Sequence, residues 1–139
     1  MEKFVPVVVI KEIGETDKIL TALKNSGINC AEITFRTACA AEAIAYACKN
    51  YPDMSIGAGT VINAKQCEDA LKAGAQFIVS PGLSVGVAEV CKENNIPYIY
   101  CTHEFTDYFE NDDVNCAGKG TMTARCNLGC GAVDTKYYD

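Results

Sequence analysis

The stretch that decides the fold runs from residue 54 to residue 80 and reads MSIGAGTVINAKQCEDALKAGAQFIVS. Its two ends, residues 54–58 and 77–80, are short and largely apolar, as buried strands are. Between them, residues 64–73 follow the helical period and are closed by Gly74, a residue typical of the position just past a helix. Strand, helix and strand in this order predict a right-handed βαβ unit with two parallel strands.

The same cycle repeats on both sides of this unit. The first predicted helix has Thr16 as its N-cap and Gly27 just past its end. Further helices are predicted at 40–49, 64–73 and 84–94, and strands at 4–10, 30–34, 54–58, 77–80 and 97–100. Strands and helices that alternate in this way, about every 20 to 25 residues, indicate an α/β protein with a parallel sheet.

Two parallel architectures compete at this point: an open doubly wound sheet and a closed (β/α)8 barrel. The open sheet usually carries a glycine-rich phosphate turn after its first strand, and residues 11–14 are a poor match to one. Polar residues instead fall at the C-terminal ends of several predicted strands, namely Glu32 with Arg36, Thr60, and Ser80. A barrel opens all these strand ends on one face, so the pattern favours the barrel over the open sheet.

Composition excludes several function classes. The chain has 139 residues and is 49% hydrophobic and 22% charged, as expected for a globular domain. Its net charge of −6 leaves no basic surface for nucleic acid or an anionic membrane. No apolar run approaches the roughly 18 residues of a membrane span, and no secretory signal is visible, so we expect a cytoplasmic protein.

Cysteine is abundant, with nine residues. The odd count and the expected compartment argue against a disulfide framework. Five of the nine lie in periodic segments, where we expect buried, reduced thiols: Cys30, Cys39, Cys48, Cys67 and Cys91.

Three motifs in one register carry a family resemblance. They are AEITFRT at residues 31–37, GAGTV at 57–61 and VSPG at 79–82. PVVV at 6–9, before the first motif, and KAGAQF at 72–77, between the second and the third, also match. Over about residues 4–100 the chain resembles the 2-keto-3-deoxy-6-phosphogluconate (KDPG) aldolase and 4-hydroxy-2-oxoglutarate (KHG) aldolase family.

The resemblance implies a class I aldolase on a (β/α)8 barrel, usually a trimer, that needs no metal or other cofactor. Such enzymes reversibly split a 4-hydroxy-2-oxo acid, such as a phosphorylated sugar acid, into pyruvate and an aldehyde through a Schiff base on lysine. By motif, Glu32 resembles the catalytic acid and base. Arg36 and Thr60 resemble binders of the substrate carboxylate and hydroxyls, and Pro81 resembles the residue that shapes the pyruvyl site.

The chemistry of these residues fits the implied roles. A carboxylate at a strand end, walled by Ile33 and Phe35, would be desolvated, which raises its pKa toward neutrality. Arg36 is the only arginine of the first hundred residues, and a guanidinium binds a carboxylate through two parallel hydrogen bonds. The glycines of residues 57–60 let backbone approach a ligand. Alternatively, Glu32 and Arg36 form a surface ion pair and the glycines are ordinary turn residues.

Two features of the family are missing from the motif pattern. The Schiff-base lysine of the family lies on the sixth strand in a Lys-Phe-Phe-Pro-like motif, and the phosphate site uses later glycine-rich turns; neither occurs here. Lys119 has no apolar strand around it to lower the pKa of its amine, so it is not a candidate. Since a barrel needs about 200 residues or more, we expect residues 1–100 to be the N-terminal half of one.

Residues 101–139 differ from the rest and are expected to be a divergent, irregular, cysteine-rich tail. Reading the codons of residues 101–109 one base later permits a sequence close to the usual continuation of the family. The hypothesis that follows is a frameshifted or disordered tail on an impaired aldolase. Two alternatives stay open: an inactive half-barrel that associates with a similar half, and a small metal-binding protein with ligands from the tail, Cys101, His103, Cys116, Cys126 and Cys130.

Overall fold

Two units make up the computed structural model, residues 1–100 and 101–139. It describes residues 4–100 in full and, beyond them, the backbone of three short strands. The first unit alternates strands and helices: β1 (Val7–Val8), α1 (Glu15–Asn25), β2 (Cys30–Thr34), α2 (Ala40–Asn50), β3 (Ser55–Gly59), α3 (Ala64–Lys72), β4 (Ile78–Ser80), α4 (Val85–Glu93) and β5 (Tyr98–Tyr100).

The order of the strands decides between the two architectures. All five strands are parallel and lie in the sheet in chain order, β1-β2-β3-β4-β5. A doubly wound sheet reverses its strand order at a switch point, whereas a barrel adds each strand beside the preceding one. The sequential order is that of a barrel segment and confirms the favoured prediction.

The core of this unit lies between the sheet and the helices. Alternation along the strands turns Ile33, Ile56 and Ile78 to the same side, where each is fully buried. Ile44 and Leu20, from α2 and α1, belong to the same buried cluster. The strand residues between these positions face the other side of the sheet, and the candidate site begins there.

The predicted glycines after α1 and α3 are confirmed, whereas the predicted N-cap of α1 is not. Gly27 and Gly74 both adopt positive φ, +76° and +100°, just beyond α1 and α3, as the sequence predicts. The prediction for Thr16 is wrong: Gly14 caps α1, and Thr16 lies inside the helix with its side chain fully buried. Burial of Thr16 against the core outweighs its preference for a cap.

The first strand is shorter than the pattern suggests. Residues 4–10 read as one strand, but only Val7 and Val8 pair, with Glu32 and Ile33 of β2. In the described residues β1 lies at an edge of the sheet with β2 as its one neighbour, and before Val7 the carbonyl of Pro6 still accepts from the amide of Glu32. Phe4 is 82% exposed, but its carbonyl accepts a hydrogen bond from the thiol of Cys30, so the segment before β1 stays beside β2 without forming a regular ladder.

The second unit contains more regular structure than expected. Strands β6 (Phe109–Glu110), β7 (Gly120–Arg125) and β8 (Val133–Tyr138) form an antiparallel sheet in that order. The irregular tail is therefore a wrong expectation for these strand residues. Thr, Val and Tyr favour strands, but their positions show too little apolar alternation for the period to be visible.

Among the residues described, no helix combines the length and the apolar character that a membrane span requires.

Candidate active site

Glu32 lies in the middle of β2, not at its end as the sequence predicted, and on the sheet face opposite the helices. Its partners in register are Val7 on β1 and Gly57 on β3, and Glu32 is only 8% exposed. The predicted apolar wall is wrong, because Ile33 lies on the opposite face and Phe35 packs against the core on the helix side. Burial between neighbouring strands, rather than by its sequence neighbours, removes water from this carboxylate.

Gly59 provides the space that the Glu32 side chain occupies. A Cβ atom added to Gly59 would overlap Oε1 of Glu32, and one added to Gly57 would overlap the ring of Phe77. The prediction that these glycines admit a ligand to the backbone is therefore incomplete, since side chains of this chain already fill both gaps. In the sequence, the spacing of Gly57 and Gly59 by one residue was the signal that one face of this strand leaves room for other side chains.

The electrostatic setting of Glu32 favours its protonated form. Burial raises the pKa of the Glu32 carboxyl above its ordinary value of 4.5, and the charge of Arg36 opposes this shift to a smaller extent. The ion pairs within residues 4–100, Lys24–Asp53 and Lys65–Asp69, include neither Glu32 nor Arg36. A surface ion pair between Glu32 and Arg36 is therefore not what the structure contains.

Arg36 and Thr60 meet beyond the carboxyl ends of β2 and β3. Nε of Arg36 donates a hydrogen bond to Oγ1 of Thr60 over 3.2 Å. The backbone brings the two strand ends together, because the amide of Phe35 donates to the carbonyl of Gly59 over 2.8 Å. Arg36 is exposed, so its remaining guanidinium donors are accessible to an anion.

Thr60 has a strained backbone that the sequence did not reveal. Its φ is +56°, a conformation uncommon for any residue other than glycine and worse for a β-branched one. Such strain is stored preferentially at functional sites, where the surroundings hold the residue in place. Since Thr60 follows Gly59 directly, the residue that binds Arg36 and the residue that accommodates Glu32 are neighbours.

Pro81 lies one strand further along the same edge. It is exposed and follows Ser80, whose hydroxyl donates to the carbonyl of Val61 in the loop after β3. The loop around it is also held by Tyr98, whose hydroxyl accepts from the amide of Ser84 and donates to the carbonyl of Gly82. The structure thus groups Glu32, Arg36 and Thr60 closely, with Pro81 at the next strand end.

Lysine does not occur on any of the five strands of residues 4–100. The lysines there lie on the four helices or, for Lys11, in the exposed segment after β1. Within the same residues, no three His, Cys, Asp or Glu side chains cluster in a way that could hold a metal ion. The candidate zinc ligands of the tail, from Cys101 to Cys130, lie outside the described residues, as does Lys119.

Comparison with known proteins identifies the family. The family model described as "Aldolase: KDPG and KHG aldolase" matches residues 1–107. The 2-dehydro-3-deoxy-phosphogluconate aldolase of Treponema pallidum is 41% identical over 97 residues, covering 70% of this chain and 46% of the relative. The KHG/KDPG aldolase of Escherichia coli K12 is 40% identical over 95 residues, 68% of this chain and 45% of the relative.

Solved structures agree with this assignment. A KDPG aldolase from Legionella pneumophila, with pyruvate captured at low pH as a covalent carbinolamine intermediate, has a TM-score of 0.69 and 37% identity. The match covers 72% of this chain and 48% of the Legionella chain. The fold and the shared sequence together define an α/β protein of the aldolase barrel class. The chain belongs to the KDPG and KHG aldolase family, and it spans about half the length of the curated relatives it matches.

Proposed function

We propose that this chain serves a class I aldolase reaction, the reversible cleavage of KDPG or KHG to pyruvate and an aldehyde. The observation that carries the proposal is the buried carboxyl of Glu32 beside the Arg36–Thr60 pair. Family membership and the carbinolamine of the Legionella relative supply the reaction class.

Glu32 is proposed as the acid and base of the reaction. Loss of water from a carbinolamine requires a proton on the departing hydroxyl, and a carboxyl with a raised pKa can donate one. The resulting carboxylate can then accept the proton of the substrate's 4-hydroxyl as the C3–C4 bond breaks. Each role needs a carboxyl group that gains and loses its proton near the working pH.

Arg36 and Thr60 are proposed to bind the substrate. One edge of the guanidinium contacts Thr60, and the other donors are free to pair with a carboxylate through two hydrogen bonds. The Thr60 hydroxyl, positioned by the same contact, can accept or donate to a substrate hydroxyl. Pro81, in the loop secured by Tyr98, is proposed to shape the pyruvyl side of the site.

No strand of residues 4–100 carries a lysine, and we infer that the amine for the Schiff base comes from outside these residues. This observation favours a second candidate function, an inactive half-barrel that retains the binding and proton-transfer residues without the reacting amine. The two candidates differ in one chemical event, the formation of an imine with pyruvate.

Borohydride reduction in the presence of pyruvate tests that event on the full chain. The aldolase proposal expects a reduced pyruvyl adduct on one lysine, located by peptide mapping, and pyruvate release from KDPG or KHG in a coupled assay. Arg36→Ala should need more pyruvate for the same adduct yield, whereas Lys24→Ala, which removes a helix cation, should not. No adduct at saturating pyruvate, together with no cleavage, would favour the inactive half-barrel.

The homo-oligomeric state and compartment belong to the same proposal. A trimer is the usual state implied by the family, and light scattering of the purified chain measures it directly. The buried thiols of Cys67 and Cys91, which form no disulfide with each other, suit the reducing cytoplasm.

A further inference from the structure

Two buried thiols face each other across the helix layer. Cys67 lies on α3 and Cys91 on α4, and their sulfur atoms are 3.6 Å apart. The two residues are 0% and 1% exposed. Both belong to the core on the helix side of the sheet, away from the face that carries Glu32.

The other cysteines of residues 4–100 have different surroundings. Cys30, Cys39 and Cys48 each donate to a backbone carbonyl, those of Phe4, Ile10 and Gly74 respectively. Within the described residues, Cys67 and Cys91 are therefore the one cysteine pair whose sulfurs contact each other. A generic use of cysteine as a small apolar residue explains their burial but does not require this pairing.

We propose that Cys67 and Cys91 are a reversible oxidation site, at which a disulfide covalently joins α3 to α4. A disulfide needs sulfurs about 2.05 Å apart, so the two sulfur atoms have to approach each other by about 1.5 Å. The two positions are 24 apart in sequence, so the bond would close a long loop and restrict the unfolded chain. The site is independent of the proposed aldolase function.

Hydrogen peroxide is the oxidant class that the proposal names. One thiolate attacks the O–O bond, which gives a sulfenic acid and releases hydroxide, protonated to water. The second thiol then displaces water from the sulfenic sulfur and forms the S–S bond. In sum, two thiols and one peroxide yield one disulfide and two waters, with both sulfurs oxidised and both peroxide oxygens reduced.

Burial sets the rate of this reaction. Desolvation raises the pKa of Cys67 to about 12 and also raises the pKa of Cys91, so little thiolate exists while the helices are packed. The first step therefore requires local opening of the contact between α3 and α4, after which repacking brings the second sulfur to the sulfenic acid. We expect oxidation to be slower than that of an exposed thiol, but selective for this partner.

Peptide mapping of the peroxide-treated full chain tests the proposal. After free thiols are blocked with N-ethylmaleimide, trypsin should release residues 66–72 joined to residues 73–92 by a bond that dithiothreitol breaks. The same treatment in urea should give at least several-fold less of these linked peptides than the folded chain gives. In the unfolded chain no two cysteines are held next to each other. The oxidised folded chain should also melt several degrees above the reduced one.

Matched variants separate this site from general oxidation. Cys67→Ala should abolish the rise in melting temperature, whereas Cys48→Ala should leave it unchanged. The proposal is overturned if Cys67 and Cys91 both stay free after exposure to peroxide many times longer than the exposure that oxidises Cys39 and Cys48, or if either forms its bond with a different cysteine. Because the mapping uses the unaltered chain, the result does not depend on the folding of any variant.

Discussion

The position of the Glu32 side chain depends on Gly59, a residue of the neighbouring strand that has no side chain. Gly59 leaves the volume into which Oε1 of Glu32 projects, and burial there raises the pKa of the carboxyl. The adjoining Thr60 has a strained backbone and accepts the hydrogen bond of Arg36. The chemistry proposed for Glu32 and Arg36 therefore depends on two consecutive residues, Gly59 at the end of β3 and Thr60 in the loop that follows.

Gly59→Ala should displace the Glu32 side chain while leaving the fold intact. The added methyl would overlap Oε1, Cδ and Cγ of Glu32 rather than backbone, so most of that side chain has to turn out of its place. A shift of about 1 Å can cost on the order of 10²-fold in rate, so we expect a loss of this size in any cleavage activity. Circular dichroism checks the fold, and a coupled pyruvate assay checks the rate.

Gly14→Ala is the matched control, because a Cβ at Gly14 meets nothing within 4 Å. It should retain full activity. Equal activity of the Gly59→Ala variant would show that the position of Glu32 does not matter for the reaction.

Glu32→Gln should remove proton transfer and should lower turnover by about 10²–10⁴-fold, the usual contribution of a general acid or base. The control is Glu42→Gln, which changes an exposed carboxylate on α2 and should leave turnover unchanged. Retained turnover in the Glu32 variant would remove this carboxyl from the mechanism.

The same substitution should change how stability depends on pH. Since the folded-state pKa of Glu32 lies above 4.5, the folded chain holds a proton that the unfolded chain releases. The free energy of unfolding of the wild type therefore falls as pH rises from about 4.5 through the folded pKa. Glu32→Gln lacks this fall and should be the more stable protein above that window. Urea denaturation at a series of pH values measures the difference between the two.

Elements were predictable wherever local signals and packing agree. Residues 30–34 form a strand as predicted, and all five are buried because β2 lies between β1 and β3 in the sheet. The first strand and the Thr16 cap were predicted incorrectly, since ladder partners and core packing come from distant segments. Local pattern can mark where an element is, but its ends depend on its neighbours.

Asn63 caps the N-terminus of α3, and the contribution of this cap to the unfolding free energy can be measured. Its side chain accepts a hydrogen bond from the amide of Gln66 over 2.9 Å, and Oε1 of Gln66 accepts from the amide of Ile62. Asn63→Ala removes the cap of α3 and should cost about 1 kcal/mol of unfolding free energy, measured by urea denaturation. Asn50→Ala, at the exposed end of α2, should cost less. Equal losses would show that the cap contributes nothing specific.

At the scale of the whole molecule, the sequential parallel sheet separates two faces with different roles. The helix side holds the buried isoleucines and the Cys67–Cys91 pair, and the opposite side holds Glu32. Stability and the proposed chemistry therefore rest on different residues of the same strands.

Ile44→Ala tests the helix side without touching the site. Ile44 is fully buried in the core, so truncation should lower the unfolding free energy by about 2–5 kcal/mol. Ile62→Ala, at a residue 56% exposed, should cost far less. A small loss at Ile44 would mean that the helices are not packed on the sheet as described.

Sequence alone determined the alternation of strands and helices, the family resemblance and the candidate residues of the site, because period, glycine positions and motif spacing are local properties. Only the tertiary structure decided that the strands follow one another in order, that Gly59 makes room for Glu32, that Thr60 is strained and that Cys67 meets Cys91. Each of these depends on contacts between segments distant along the chain, and no pattern within a single segment encodes the distance between two of them.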